Sequence, residues 1–203
     1  LKKMEAVLNL RTRWLAASIH PGEFEVVCQT HLALRSQFPD LLTIVVPRHP
    51  SSASEFERIS IASGVKCARR SGGTNPSLET AIYIADTMGE LGLFYRVSPV
   101  SLIGGSFIDH GGQNPIEAIQ LDCAVLTGPS MFNFSEVMAD LRQVGAAFYA
   151  TTVGELSEVL SGLLAVPERA VQLSKRQKKV IAAKAVVIDT VFEKLVHHLP
   201  TAR

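Results

Sequence analysis

Four polar segments of this 203-residue chain carry residue types that bind anions and planar rings, and each follows a short apolar run. The most informative is Gly104-Gly105-Ser106, running on to Gly111-Gly112-Gln113-Asn114-Pro115-Ile116-Glu117. Paired glycines permit close backbone approach or positive φ. Asn114 is suited to cap the helix that Pro115 opens, because proline in a first turn forfeits no helical hydrogen bond. Free N–H groups and the positive dipole end make such a terminus an anion site fitted to phosphate. Glu117, in the first turn, either accepts hydrogen bonds from ribose hydroxyls or only complements the dipole.

In the second segment, Pro47-Arg48-His49-Pro50, the guanidinium of Arg48 either pairs bidentately with phosphate or forms a surface salt bridge. In the third, Asp86-Thr87-Met88-Gly89-Glu90, Met88 and Gly89 could present backbone groups to a planar base, with Met88 adding an adaptable apolar contact. Glu90 is a ligand group or a helix N-terminal acid. The fourth is His20-Pro21-Gly22-Glu23. His20, His49 and His110 have no Cys or carboxylate at metal-ligand spacing, so they read as loop-structuring imidazoles and no metal is expected. The P-loop pattern, a GxGxxG after the first strand and a GxSxG elbow are all absent.

These segments need elements to hold them. Apolar runs at Arg13–Ile19, Leu41–Val46, Val65–Arg69, Ala81–Ala85, Val100–Ile103, Ala124–Leu126 and Ala146–Tyr149 read as strands. Between them, helical patterns run over Gly22–Gln37, Ser51–Ser63 (with a serine cap), Gly89–Val97, Pro115–Leu121 and Phe134–Val144. Two helices close the chain, Val153–Ala165 and a long one over 168–198. Continuous apolar strands alternating with helices predict an α/β fold, a Rossmann-like doubly wound parallel sheet covered on both faces. In such a sheet ligands bind beyond the carboxyl ends of the strands, where all four segments fall. No repeat or interdomain linker interrupts the pattern, so 1–203 reads as a single domain. Its opening helical pattern has no cap, which suggests a piece of a longer protein with 1–12 the remnant of an interdomain helix.

Composition narrows the function classes. Twenty basic residues against nineteen acidic give a net charge of +1, against a dedicated nucleic-acid binder. No apolar run approaches the ~20 residues of a membrane helix. Cys28, Cys67 and Cys123 lie far apart and read as buried thiols in a reducing compartment. From Arg169 to Ile188 there are six basic residues and no acidic one. That stripe is either a solvated helix face or a surface attracted to anionic lipid headgroups.

The ordered set of motifs resembles the C-terminal half of the bacterial 3-deoxy-D-manno-octulosonic acid (Kdo) transferases of lipid A biosynthesis. The matching residues are Ala17-Ser18-Ile19-His20-Pro21-Gly22-Glu23, Pro47-Arg48-His49-Pro50, Ala85-Asp86-Thr87-Met88-Gly89-Glu90-Leu91-Gly92, Gly104-Gly105-Ser106, Gly111 to Glu117, and Gly128-Pro129 followed by Asn133-Phe134. They span about Trp14 to Val144. Phe24, in place of a second acid after Glu23, and Ser51-Ser52 after Pro50 depart from the pattern.

The resemblance implies one half of a GT-B glycosyltransferase, metal-independent and without a cofactor, whose C-terminal domain binds the donor CMP-Kdo. Carried over, its CMP contacts fall on Pro47, Arg48, Met88, Gly89, Glu90, Asn114, Pro115, Ile116 and Glu117, and Asn133 and Phe134 would face the sugar. It places the catalytic base, a glutamate, and the lipid A precursor acceptor on an N-terminal domain with no counterpart here, so the chain is expected to bind donor without turning over alone. The full-length protein would work at the cytoplasmic face of the bacterial inner membrane, with no nucleic-acid partner. The alternatives are a UDP-sugar transferase or epimerase of the same architecture, or a non-catalytic nucleotide-binding module. An isolated domain would also expose an apolar patch built from Leu1–Leu10 and Val180, Val187, Val191 and Leu195.

Overall fold

The computed structural model describes residues 8, 11–73 and 75–196, with the backbone alone described for 185–196. Six parallel strands form one sheet: β1 (Arg13–Ile19), β2 (Leu42–Pro47), β3 (Cys67–Arg69), β4 (Ile82–Ile84), β5 (Val100–Ile103) and β6 (Ala124–Thr127). Their spatial order is β3-β4-β2-β1-β5-β6. Trp14 pairs with Thr43 on one side of β1, and Leu15 with Ser101 on the other. Strands β2, β4, β5 and β6 are buried along their whole length, so their sequences are apolar without alternation.

The crossover helices are α1 (Phe24–Leu34), α2 (Ala53–Ala62), α3 (Leu91–Val97), α4 (Ile116–Gln120), α5 (Ser135–Gln143), α6 (Val153–Ala165) and α7 (Pro167–Val196). α1 packs on α2 and α6, while α7 packs on α4, α5, α6 and β6. Phe24 of α1 meets Phe56 of α2 edge to face, ring centroids 4.9 Å apart, in the core between them. The doubly wound parallel α/β architecture expected from the sequence is the one observed.

Three expectations need correction. Residues 146–149 do not form a strand; only a bridge joins Tyr149 to Thr127. The reason is Gln177 of α7, which is fully buried. Its Oε1 accepts from the Val125 N–H (2.8 Å), and its Nε2 donates to the carbonyls of Val125 (2.9 Å) and Ala146 (3.0 Å). A helix side chain thus supplies the hydrogen bonds that a seventh strand would have supplied. Second, Pro21–Glu23 and Pro50–Ser52 are single 3-10 turns, so α1 starts at Phe24 and α2 at Ala53, without a serine side-chain cap. Third, the apolar patch cannot be placed as expected. Leu8 is buried and Val180 packs against the core, while residues 1–7, 9 and 10 and the side chains of Val187, Val191 and Leu195 lie outside the described residues.

Gln177→Leu preserves bulk and strands three buried backbone groups. Each unsatisfied group costs roughly 1–3 kcal/mol, so about 3 kcal/mol of stability should be lost after partial relaxation. Urea denaturation measures this, and a midpoint equal to wild type would contradict the assigned role.

Candidate functional site

β1 leads to β2 on one side and β5 leads to β6 on the other, so the crevice of this sheet opens between the carboxyl ends of β1 and β5. Those ends are pressed together. Ser18 takes a left-handed φ of 55° where the β1 register shifts, and a Cβ on Gly104 would lie 2.2 Å from the Ser18 carbonyl oxygen. Only glycine fits at 104.

Glu23 locks this junction, a role the sequence reading did not foresee. Its carboxylate is fully buried and accepts four backbone N–H bonds: from His20 (3.0 Å) and Gly105 (2.7 Å) on Oε2, and from Ser106 and Phe107 (3.0 Å each) on Oε1. Consecutive N–H groups at Gly105–Phe107 make an anion-binding concavity, and the protein fills it with its own carboxylate. The available signal was an acid directly after Pro-Gly at one strand end and Gly-Gly-Ser at another. Ser106 continues the lock, its hydroxyl donating to the Ile103 carbonyl (2.5 Å) and accepting from the Gly128 N–H (2.8 Å).

Around the junction sit the histidines. The rings of His20 and His110 lie 4.3 Å apart, tilted by 50°. The Gln113 side-chain amide reaches both, its Nε2 3.1 Å from His20 Nε2 and 3.0 Å from His110 Nε2. Arg48 and His49 are exposed at the adjoining end of β2. The Arg48 backbone N–H donates to the Ile19 carbonyl (2.8 Å), while its guanidinium makes no ion pair among the described residues. Of its two readings, the surface salt bridge has no partner among the described residues. Burial most of all, and then His110, lower the His20 pKa; Glu23 pulls it up, and Arg48 and His49 each lower it by less.

The segment after β4 is held at both ends by the residues after β3. Asp86, whose side chain is 1% exposed, accepts from Arg69 Nε (2.8 Å) and Nη2 (2.7 Å), the Ser71 N–H (2.8 Å) and the Ser71 hydroxyl (2.6 Å). Glu90 accepts from Arg70 Nε (2.6 Å) and Nη2 (2.5 Å), and from the Thr87 hydroxyl. Between these clamps, Met88 stands 78% exposed and Gly89 turns through a φ of 78°. Both Glu90 oxygens are engaged, so the carboxylate is committed to Arg70, which holds its pKa down at about 2. Arg69 and Arg70 were not singled out in the sequence.

Because the folded-state pKa of Glu90 is depressed, the pair stabilises above the usual glutamate range and is lost as pH falls towards about 2. Hydrogen-exchange protection across residues 86–91, taken relative to the intrinsic rate, which itself slows on acidification, should therefore fall below about pH 4. Arg70→Ala should produce the same loss of protection at neutral pH. Unchanged exchange in that variant would show that the turn does not depend on the clamp.

The last segment lies beside this turn. A Cβ on Gly92 would stand 3.3 Å from Glu117 Oε1, so Glu117 leans over the first turn of α3, next to Met88–Glu90. Asn114 Oδ1 accepts from the Ile116 N–H (2.9 Å), the capping expected of it. α4 has only five residues, and this cap occupies one of its first N–H groups, so its terminus is a weaker anion site than the sequence suggested. Pro115 is buried and Ile116 half-buried against the core. Asn133 Nδ2 donates to the His110 carbonyl (3.0 Å), bringing Asn133 to the histidine pair. Phe134 is half-buried against the core, and Phe132 is the exposed aromatic of that turn.

Other features fall elsewhere. A 550 Å³ concavity lined by Arg11, Asp40 and Asp122 is at the opposite, amino end of the strands. Of the basic stripe on α7, Lys178 pairs with Asp122 and Lys184 with Asp140, both at 2.7 Å. Among the described residues no group of three or more His, Cys, Asp or Glu could hold a metal ion, and no helix is long and apolar enough to cross a membrane.

The crystal structure of the C-terminal CMP-Kdo binding domain of WaaA from Acinetobacter baumannii matches with a TM-score of 0.82 and 30% identity, covering 89% of this chain and 96% of that domain. The chain belongs to the Kdo transferase family. The Kdo transferase of Haemophilus influenzae is 35% identical over 169 residues, which are 81% of this chain and 40% of that protein. The probable mitochondrial Kdo transferase of Arabidopsis thaliana is 38% identical over 161 residues, 76% of this chain and 36% of that protein. The chain thus spans about two fifths of the length of these Kdo transferases. Thermobaculum terrenum O-GlcNAc transferase, at 12% identity and a TM-score of 0.55, shares the fold. No family model matches the chain.

Proposed function

We propose that this chain is the donor-binding half of a Kdo transferase. It binds CMP-Kdo, and the whole protein moves Kdo to a lipid A precursor at a membrane surface, on its cytoplasmic face. The observation that carries this reading is the match over 96% of a CMP-Kdo binding domain. The arrangement at the strand ends supports it: an exposed guanidinium at Arg48 with no ion pair among the described residues, a braced turn at Met88–Gly89 and a carboxylate at Glu117 beside that turn.

In this reading Met88 and Gly89 hold the cytosine through backbone groups, and Glu117 accepts from the ribose hydroxyls. Pro47 fixes the backbone from which Arg48 reaches the phosphate. Glu90 contributes by shaping the turn through Arg70, and Asn114 by shaping the loop through its cap. Transfer inverts the anomeric centre in one displacement, and CMP departs as a phosphate monoester. Arg48 stabilises the charge that develops on it. The base that deprotonates the acceptor is supplied by the acceptor-binding half.

Calorimetric titration of the chain with CMP, and in parallel with UMP, tests the reading. CMP should saturate a single site and bind at least about tenfold tighter than UMP, a difference of ~1.4 kcal/mol. Preference for UMP would favour a UDP-sugar enzyme. Absence of binding by this chain and by the full-length protein would overturn donor binding.

A further inference from the structure

The histidine pair has a property that a loop brace does not need. The Gln113 amide nitrogen stands within hydrogen-bond distance of both Nε2 atoms, and it can donate one N–H to each. With the amide nitrogen so placed, both rings accept and are neutral, with their protons on Nδ1. If the Gln113 amide turns over and offers its oxygen, both rings donate from Nε2: the protonated ring directly, and the neutral one after moving its single proton from Nδ1 to Nε2. Two imidazolium rings at 4.3 Å would repel, which disfavours a second positive charge beside the first.

A protonated pair would need a counter-charge. The groups that act electrostatically on His20 are His110 from the loop after β5, Arg48 and His49 from the loop after β2, and Glu23 from the turn before α1. Three of the four are cationic or become so. Of the two carboxylates near the pair, Glu23 has both oxygens taken by four backbone N–H groups, and Asp109, next to His110 in the chain, is exposed to solvent. The cluster therefore holds more cationic or protonatable groups than free carboxylates and can take an anion from outside. It sits where Asn133 meets the His110 backbone.

We infer that His20, His110 and Gln113, flanked by Arg48 and His49, form a proton-coupled subsite for the carboxylate of the transferred sugar acid. This rests on the donor-binding reading above, and it follows from the chemistry of the donor: an octulosonic acid brings a second anionic group besides the nucleotide phosphate. Arg48 faces both anions, and the histidine pair serves the carboxylate. Binding takes up one proton, and the carboxylate is gripped more tightly as pH falls through the range where the histidines titrate.

The test is a histidine-ring NMR titration of the 203-residue chain between about pH 5 and 8. It is run alone, with saturating CMP, and with CMP plus free Kdo. Kdo should raise the titration midpoint of His20 or His110 by at least about one unit, equivalent to about tenfold tighter binding to the protonated pair. CMP alone should raise it by clearly less, since its phosphate sits on Arg48 and not on the pair. His110→Gln, on an exposed ring, should weaken Kdo about tenfold more than it weakens CMP and abolish the pH dependence of Kdo binding. His20→Asn should do the same where its spectrum shows a folded chain. Kdo that binds without moving either ring, or equally at pH 6 and 8, overturns the subsite. So does a chain that binds CMP but not Kdo. Failure of CMP and Kdo alike, here and in the full-length protein, falls on the donor-binding reading itself.

Discussion

Arg48→Ala should lower CMP affinity by about ten- to a hundredfold while leaving the unfolding midpoint unchanged. A charge-assisted guanidinium–phosphate contact is worth roughly 1.5–3 kcal/mol, which converts to that range. The fold has no stake in this side chain, because it is exposed and makes no ion pair among the described residues. The local backbone is set by Pro47, Pro50 and the hydrogen bond from the Arg48 N–H to Ile19, all of which survive the substitution. Arg48→Lys should recover charge but not the planar fork, and so only part of the affinity. Calorimetry with CMP, paired with thermal denaturation, separates the two effects. Wild-type CMP affinity in Arg48→Ala would remove Arg48 from the site.

Glu23 behaves in the opposite way, because the fold depends on it first and the site through it. Glu23→Ala leaves four N–H groups without their acceptor at the tightest junction of the sheet. Loss of a buried, hydrogen-bonded carboxylate should cost about 3–5 kcal/mol, a large part of the stability of a domain this size. Glu23→Gln is the more telling variant. It keeps the volume but turns one oxygen into a donor facing N–H groups. It should lose about 2 kcal/mol and raise hydrogen exchange at Gly105, Ser106 and Phe107 selectively. CMP binding should weaken in proportion, since the same loop leads on to Gln113 and Asn114. Exchange that rises uniformly, or not at all, would show that the four bonds do not set this loop.

The two residues differ in what a sequence can reveal about them. Arg48 could be singled out as a candidate because an arginine between prolines after a fully apolar run has few structural duties. Glu23 stood in a motif that was noticed, yet its duty was invisible. Three of its four partners are 82 to 84 residues away, and all four are backbone N–H groups, which every residue except proline carries. Glu90 lay between these extremes. Its place at the head of a helix was readable, whereas its commitment to Arg70 depends on β3 lying beside β4. Residues 146–149 were misread as a strand for a related reason. Their apolar pattern suits a strand, but the side chain of Gln177 claims the hydrogen bonds.

What the sequence determined by itself is local and periodic. Apolar runs of strand length, separated by helical patterns, leave a parallel sheet covered on both faces as the way to bury them. The same alternation puts every polar segment at a strand exit. What the tertiary structure decided is which exits meet. The order β3-β4-β2-β1-β5-β6 sets the β1 exit against the β5 exit. That brings His20 to His110 and Gln113, and closes Glu23 over Gly105–Phe107. Strand order arises from long-range packing and crossover handedness, which no local spacing encodes. The chemistry-bearing residues could therefore be listed from the sequence, and the neighbours that set their charge and freedom could not.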